Sequence, residues 1–130
     1  QLRQMHRLKT GALLRGSVMM GAACREPAGT AHAATEQALS RFGDAIGLAF
    51  QVVDDILDVT TDTAILGKTA GKDAAADKPT YVSVLGLERS RDYVQELYAQ
   101  ALAALDASGL DAPSTRALRA LAGVVVHRDK

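Results

Sequence analysis

Three aspartates stand close together in an otherwise apolar stretch, residues 45–59. On a helix, Asp54, Asp55 and Asp58 project to one side, because residues three and four apart are neighbours. Burying an unpaired carboxylate costs several kcal/mol, and adjacent carboxylates also repel one another. Oxygen ligands without a nearby His or Cys suit a hard cation such as Mg²⁺. The pattern therefore predicts a Mg²⁺ site, and a solvated acidic turn at a helix end is the alternative.

Polar residues at four further places could complete such a site. Lys9 and Thr10 lie on the first predicted helix, and Phe50 and Gln51 lie one turn before the aspartates. The last four residues, 127–130, are polar. Three lysines lie in the polar stretch that follows the aspartates: Lys68, Lys72 and Lys78. Carboxylates for a metal and cations for oxyanions, set in apolar surroundings, suit a substrate with a diphosphate head and a hydrocarbon tail.

The composition favours helices over sheets. Hydrophobic residues make up 48% of the 130 residues and aromatic residues only 4%, and there are three prolines. Lys plus Arg and Asp plus Glu number 15 each, so no overall charge favours nucleic acid or an anionic membrane. The single Cys24 fits a reducing compartment, and we expect a cytoplasmic protein. The apolar run 12–24 contains Arg15 and is too short to span a bilayer, so no membrane span is predicted.

The elements that must position these residues are all predicted as helices. We expect a first helix over 4–25 and a second from an N-cap at Thr30 to Val59. A polar, glycine-containing loop over about 60–78 follows, which we expect to be mobile and lid-like. A third helix begins at Pro79 and ends at 108–109, with this apolar side: Val82, Leu85, Val94, Leu97, Ala101, Leu102 and Leu105. A fourth follows 111–114, with this inner face: Leu118, Leu121, Ala122 and Val125.

Seven segments in order along the chain resemble motifs of the trans-isoprenyl diphosphate synthases. The segment 50–58, FQVVDDILD, resembles the second aspartate-rich motif of that family. The segments 5–14, 66–68, 71–73 and 78–81 resemble further motifs in the same order and spacing, as do 86–88 and 128–130. The resemblance covers essentially the whole chain and points to the C-terminal half of bacterial short-chain members, the farnesyl diphosphate synthases. It implies an all-α domain of antiparallel helices, the isoprenoid synthase bundle, of which residues 1–130 form the C-terminal part.

The resemblance also implies a role for each matching residue. Asp54 and Asp58, with Asp55 in support, would bind Mg²⁺ that bridges to the allylic diphosphate. Lysines would bind that diphosphate, and two further polar groups would lie beside the allylic carbon: Lys9, Lys68 and Lys78 for the first role, Thr10 and Gln51 for the second. Phe50 would pack near isopentenyl diphosphate, and Arg128 would help close the site. The family further implies a homodimer and the transfer of an allylic group to isopentenyl diphosphate.

The first aspartate-rich motif of the family has no counterpart among these residues. The sequence starts at Gln1, so we expect a chain that is part of a longer polypeptide and that does not elongate prenyl chains alone. The chain-length determinants adjoin that motif, and geranyl and geranylgeranyl products therefore remain open beside farnesyl. A long-chain polyprenyl synthase stays open, because the residues before the missing first motif would decide. The missing half also leaves open a non-catalytic helical subunit that binds prenyl diphosphates, although the intact motifs do not favour it. A terpene cyclase fits the lysine motifs less well.

Overall fold

The computed structural model describes residues 10–24, 29–65 and 80–129. The elements in these ranges are helices without exception: α1 (Ala12–Ala23), α2 (Gly29–Ile65), α3 (Tyr81–Leu85), α4 (Leu87–Asp106) and α5 (Ala112–His127). The all-α prediction is confirmed. Within the described part of the chain, no helix combines the length and the hydropathy that crossing a membrane requires.

The long helix α2 is the centre of the fold, since α1, α3, α4 and α5 all pack against it. One half of the core surrounds Phe42 and Ile46 of α2, where α1, α4 and α5 contribute buried side chains. The other half surrounds Val52 and Val53 and includes Tyr81 of α3. The aspartates therefore follow directly on a deeply buried part of α2.

Helix α1 packs very closely on α2 at two glycines. A Cβ atom added to Gly47 would lie 2.7 Å from Cα of Gly11, and one added to Gly43 would lie 2.9 Å from Cα of Arg15. These distances are shorter than real Cβ contacts, so the backbones can approach this closely only where side chains are missing. The pairing also runs antiparallel, because Gly43 meets the later residue of α1 and Gly47 the earlier one.

Several predicted boundaries are wrong. Helix α2 begins at Gly29, which places Thr30 inside the helix, and it continues past Val59 to Ile65. Thr60 explains the extension, because its hydroxyl donates to the carbonyl oxygens of Ile56 at 2.9 Å and of Leu57 at 3.2 Å and so stays within the helical ladder. The predicted loop therefore begins later than residue 60. Its remaining positions, 66–78, and residues 4–9 and 25 of the first predicted helix lie outside the described residues.

The predicted third helix is two helices, separated at Gly86. This residue has φ +82°, a conformation that favours glycine, and it ends α3 and begins α4. Thr80 is the N-cap of α3 and forms a capping box with Ser83. Asp111 caps α5, since its carboxylate accepts a hydrogen bond from the backbone N–H of Ser114 at 2.9 Å.

The residues of the predicted inner faces are buried or half-buried, with two exceptions. Val94, Leu97, Ala101 and Leu105 of α4 are buried, as are Ala122 and Val125 of α5. Leu85 is 39% exposed and Leu121 is 44% exposed, so their assignment to the inner faces is wrong. Leu85 is the last residue of α3 before the helix break at Gly86, and the buried face of α5 includes Thr115 and Val126.

Candidate active site

The three aspartates border solvent near the C-terminal end of α2. Asp58 is exposed, Asp54 has a side chain that is 43% exposed, and Asp55 is half-buried. Val52 and Val53, immediately before them, are buried in the core. The apolar stretch 45–59 is not buried along its whole length, because Val59 at its end is 40% exposed.

Arg128 crosses from the end of α5 to the first of these aspartates. Its Nη2 donates to Oδ1 of Asp54 and, at 3.2 Å, to the backbone carbonyl oxygen of Phe50. The guanidinium carbon also lies 4.1 Å from the centroid of the Phe50 ring, a cation–π contact. The Nε atom is buried and has no hydrogen-bond partner among the described residues. The guanidinium therefore occupies one side of the aspartate cluster in this state of the molecule.

Asp55 faces a different neighbour. Its Oδ2 accepts a hydrogen bond from the backbone N–H of Tyr81 at 2.7 Å. This bond joins α2 to the first residue of α3, 26 positions later in the chain. Consequently the middle carboxylate of the cluster is engaged by protein backbone, whereas Asp54 is engaged by a side chain and Asp58 borders solvent.

The donor chemistry of Asp54 and Asp58 fits Mg²⁺. Within the ranges that the structure describes, no group of three His, Cys, Asp or Glu side chains is placed to hold a metal ion. Mg²⁺ nevertheless needs few protein ligands, since it usually binds one or two carboxylates and completes its shell with water and substrate phosphates. Asp54 and Asp58 supply two accessible carboxylates one helical turn apart.

Gln51 and Thr10 lie at the same end of the α1–α2 contact. Gln51 follows Gly47 by one turn, and Thr10 adjoins Gly11, which is packed against Gly47. Both residues are half-buried. The amide of Gln51 donates weakly to Oδ2 of Asp54, at 3.4 Å. The structure thus places Gln51 beside the aspartates and the described end of α1 close to Gln51.

The predicted lysine ligands cannot be placed in the same way. Lys9, Lys68 and Lys78 lie outside the described residues. The predicted cluster is therefore brought together at Phe50, Gln51, Asp54 and Arg128, with Asp55 and Asp58 beside it.

A small cleft adjoins this cluster between α2, α4 and α5. It has a volume of about 170 Å³ and is lined by Ile56, Leu57, Arg91 and Arg128, among others. A larger cavity of about 690 Å³ lies closer to the start of α2, between Arg41 and Tyr93, and none of the predicted site residues lines it. None of the three aspartates lines either cavity, and the cleft is linked to the cluster through Arg128, which lines it and donates to Asp54.

Two groups near the site are not predicted from the sequence. Arg91 lines the cleft together with Arg128, but nothing in its local sequence distinguishes it from other exposed arginines on α4. The backbone N–H of Tyr81 binds Asp55, and here a signal existed. A threonine followed three residues later by a serine is typical of a helix start, and the first N–H groups of a helix need acceptors.

Comparison with known proteins places these motifs in a family. Residues 1–109 match the family model described as polyprenyl synthetase. The chain is 56% identical over 97 residues to a probable farnesyl diphosphate synthase of Bradyrhizobium diazoefficiens, covering 75% of this chain and 29% of that protein. It is 43% identical over 129 residues to the farnesyl diphosphate synthase of Escherichia coli K12, covering 99% of this chain and 42% of that protein.

A chloroplastic geranylgeranyl pyrophosphate synthase of Capsicum annuum is also similar. It is 46% identical over 125 residues, which cover 96% of this chain and 32% of that protein. This chain therefore spans between 29% and 42% of the length of these three relatives. The family resemblance drawn from the motifs is confirmed.

Proposed function

The chain belongs to the polyprenyl synthetase family, and from that premise we propose that the full-length gene product is a Mg²⁺-dependent prenyltransferase. It would condense an allylic diphosphate, geranyl or dimethylallyl, with isopentenyl diphosphate to give farnesyl diphosphate. The observation that carries this proposal is the cluster at the end of α2. Accessible carboxylates, an amide, an aromatic ring and a guanidinium adjoin one another directly above an apolar core.

The balance of the proposed reaction is simple. The C–O bond of the allylic diphosphate breaks, and diphosphate leaves with the electron pair. The double bond of isopentenyl diphosphate then forms the new C–C bond, and a proton is lost from a neighbouring carbon. Negative charge therefore grows on the leaving group while positive charge grows on the allylic carbon. A site for this reaction needs cations at one end and oxygen atoms with apolar walls at the other.

We assign the metal to Asp54 and Asp58. Mg²⁺ held there would neutralise charge on the departing diphosphate. These two carboxylates have the donor type that Mg²⁺ prefers, and both are accessible from solvent. The resemblance implies a supporting role for Asp55, whose Oδ2 accepts the backbone N–H of Tyr81.

The remaining residues act on the diphosphate and the hydrocarbon. Lys9, Lys68 and Lys78 keep their predicted role as cationic partners of the diphosphate, from sequence alone. Thr10 and Gln51 would turn oxygen atoms toward the developing allylic cation, and Phe50 would pack near isopentenyl diphosphate. Arg128 would add a positive charge at the edge of the site, where it already contacts both Asp54 and Phe50.

Two finer points belong to the same proposal. The family resemblance implies that the full-length gene product is a homodimer, which size-exclusion chromatography with light scattering would test. A geranylgeranyl product is the second candidate, because the pepper geranylgeranyl synthase is 46% identical over nearly the whole chain.

Product analysis tests the proposal. The full-length gene product is incubated with Mg²⁺, geranyl diphosphate and isopentenyl diphosphate, and products are identified by mass spectrometry. We expect farnesyl diphosphate, and none when EDTA replaces Mg²⁺. A geranylgeranyl product would keep the reaction and change the chain length. No prenyl product from a folded preparation would contradict the proposal.

A further inference from the structure

Asp55 accepts a tertiary hydrogen bond that the proposed chemistry does not use. Its Oδ2 accepts the backbone N–H of Tyr81 at 2.7 Å, although the two residues are 26 positions apart. Tyr81 is the first residue of α3, and the first N–H groups of a helix have no acceptor within the helix. Thr80 serves the N–H of Ser83, so the carboxylate of Asp55 serves a second of these donors.

The surroundings of this bond fix both partners. Tyr81 is 4% exposed and packs in the same core cluster as Val52 and Val53, directly before the aspartates. Its ring lies 6.1 Å from that of Tyr93 on α4. The bond therefore joins α2 to α3 at a point where α4 also packs. A carboxylate at a helix start is favourable as well, because the N-terminal end of a helix carries partial positive charge.

The direction of Asp55 differs from that of its neighbours. Successive residues of a helix are rotated by about 100°, whereas residues four apart differ by only about 40°. Asp58 therefore lies about 40° from Asp54 and about 60° from Asp55, and Asp55 is the outermost of the three on the side of α3. The bond from Tyr81 to Asp55 resembles the hydrogen bonds at a helix N-cap, for which the neutral oxygen of Ser, Thr or Asn is also an acceptor.

We propose that Asp55 is a positioning residue that tethers α3 to α2 and is not a metal ligand. This assignment rests on the proposed function, which supplies the Mg²⁺ site, and it limits the protein ligands of that site to Asp54 and Asp58. The tether requires an acceptor oxygen at position 55 and no charge. It holds the start of α3 and the buried Tyr81 against the turn of α2 that carries the aspartates.

Three variants of the full-length gene product separate the two roles. D55N keeps an acceptor oxygen but removes the charge, D55A removes both, and D54N changes the proposed metal ligand itself. Affinity for inorganic pyrophosphate is measured by calorimetry with and without Mg²⁺. Hydrogen exchange of the amide of Tyr81 is measured on the ligand-free protein by NMR or mass spectrometry.

We expect D55N to retain Mg²⁺-dependent pyrophosphate affinity within about threefold. Asn keeps an acceptor oxygen for the N–H of Tyr81, although a neutral acceptor gives roughly half the strength of a charged one. D55A should speed exchange at Tyr81 by about tenfold, the worth of one hydrogen bond. D54N should weaken Mg²⁺-dependent binding by about tenfold or more, since even substitutions of residues that only support a metal ligand lower metal affinity by that factor. It should leave hydrogen exchange at Tyr81 unchanged. A tether predicts that D55N, unlike D55A, keeps both the pyrophosphate affinity and the exchange rate of the Tyr81 amide close to those of the unaltered protein.

Each contrary result has a distinct meaning. If D55N weakens Mg²⁺-dependent binding as much as D54N does, Asp55 is a ligand and the inference is wrong. The inference is also wrong if D55A folds and exchange at Tyr81 does not change. If D55A fails to fold, the comparison of D55N with D54N still decides. If D54N binds Mg²⁺ and pyrophosphate as well as the unaltered protein, the proposed function fails, while the exchange measurement still tests the tether.

Discussion

Replacing Arg128 by Met should tighten the binding of Mg²⁺ to the ligand-free protein. The guanidinium contacts Oδ1 of Asp54, which we assign to the metal. Two cations that contact one carboxylate lie within roughly 5 Å of each other, and a doubly charged ion then meets about 1 kcal/mol of repulsion in screened water. Loss of the partly exposed ion pair removes up to about 1 kcal/mol of further competition. The sum corresponds to about five- to thirtyfold tighter binding.

The same substitution should change stability little. Met loses the ion pair, the cation–π contact and the hydrogen bond to the carbonyl of Phe50, together worth about 2–3 kcal/mol. It also removes the buried Nε that has no partner in the described structure, which costs the unaltered protein about 1–3 kcal/mol. Met has a similar length and packs well on an aromatic ring. We therefore expect the free energy of unfolding to change by no more than about 1 kcal/mol.

Calorimetric titration with Mg²⁺ in the absence of diphosphate measures this effect. R119M is the matched control, because Arg119 of α5 is also paired with an aspartate, Asp106 of α4, and lies about 13 Å along the helix from Arg128. We expect tighter binding in R128M and no change in R119M. Unchanged or weaker binding in R128M would refute competition between Arg128 and the metal, and an equal gain in R119M would show a general effect of net charge.

Three further substitutions test the packing that positions the site. G47A should destabilise the protein by about 1–3 kcal/mol in urea unfolding, because its Cβ would lie 2.7 Å from Gly11. G16A, where a Cβ meets nothing within 4 Å, is its control and should be neutral or stabilising; equal loss in both would contradict the close α1–α2 contact. D111A should cost about 1 kcal/mol by removing the α5 cap, and D111N should restore most of it; failure of Asn to restore it would exclude capping. T35V should cost about 1–3 kcal/mol, because the buried hydroxyl of Thr35 donates to the carbonyl of Ser108 at 2.7 Å, and an unchanged urea midpoint would count against that bond.

Local patterns carried much of the fold. Ala and Leu with few prolines predicted helices, and the spacing of Asp54 and Asp58 predicted a shared face, which depends only on helical geometry. Boundaries were less predictable where a polar residue has two uses. Thr60 reads as a loop residue, yet its hydroxyl bonds back to Ile56 and Leu57 and prolongs the helix. Gly86 was not recognised as a helix break, since a glycine is compatible with either outcome until its φ is known.

Contacts between distant segments could not be derived from local patterns. Arg128 and Asp54 are 74 residues apart, and their pairing depends on how α5 packs against α2. Asp55 was grouped with its neighbours because all three are carboxylates in one short segment. Only the position of α3 shows that its Oδ2 meets the N–H of Tyr81. The residue types of the cluster could thus be predicted from the sequence, whereas the different contacts of its individual residues could not.

The most direct test of the central claim compares two asparagine variants of the same helix in the full-length gene product. Asp44 and Asp54 both lie on α2, have side chains that are 40% and 43% exposed, and are each paired with an arginine. The measurement is turnover of geranyl diphosphate with isopentenyl diphosphate at saturating Mg²⁺. We expect D54N to lower turnover by about 100-fold or more and D44N to change it by less than about twofold. Equal turnover in the two variants would contradict the assignment of the active site to the aspartates at the end of α2.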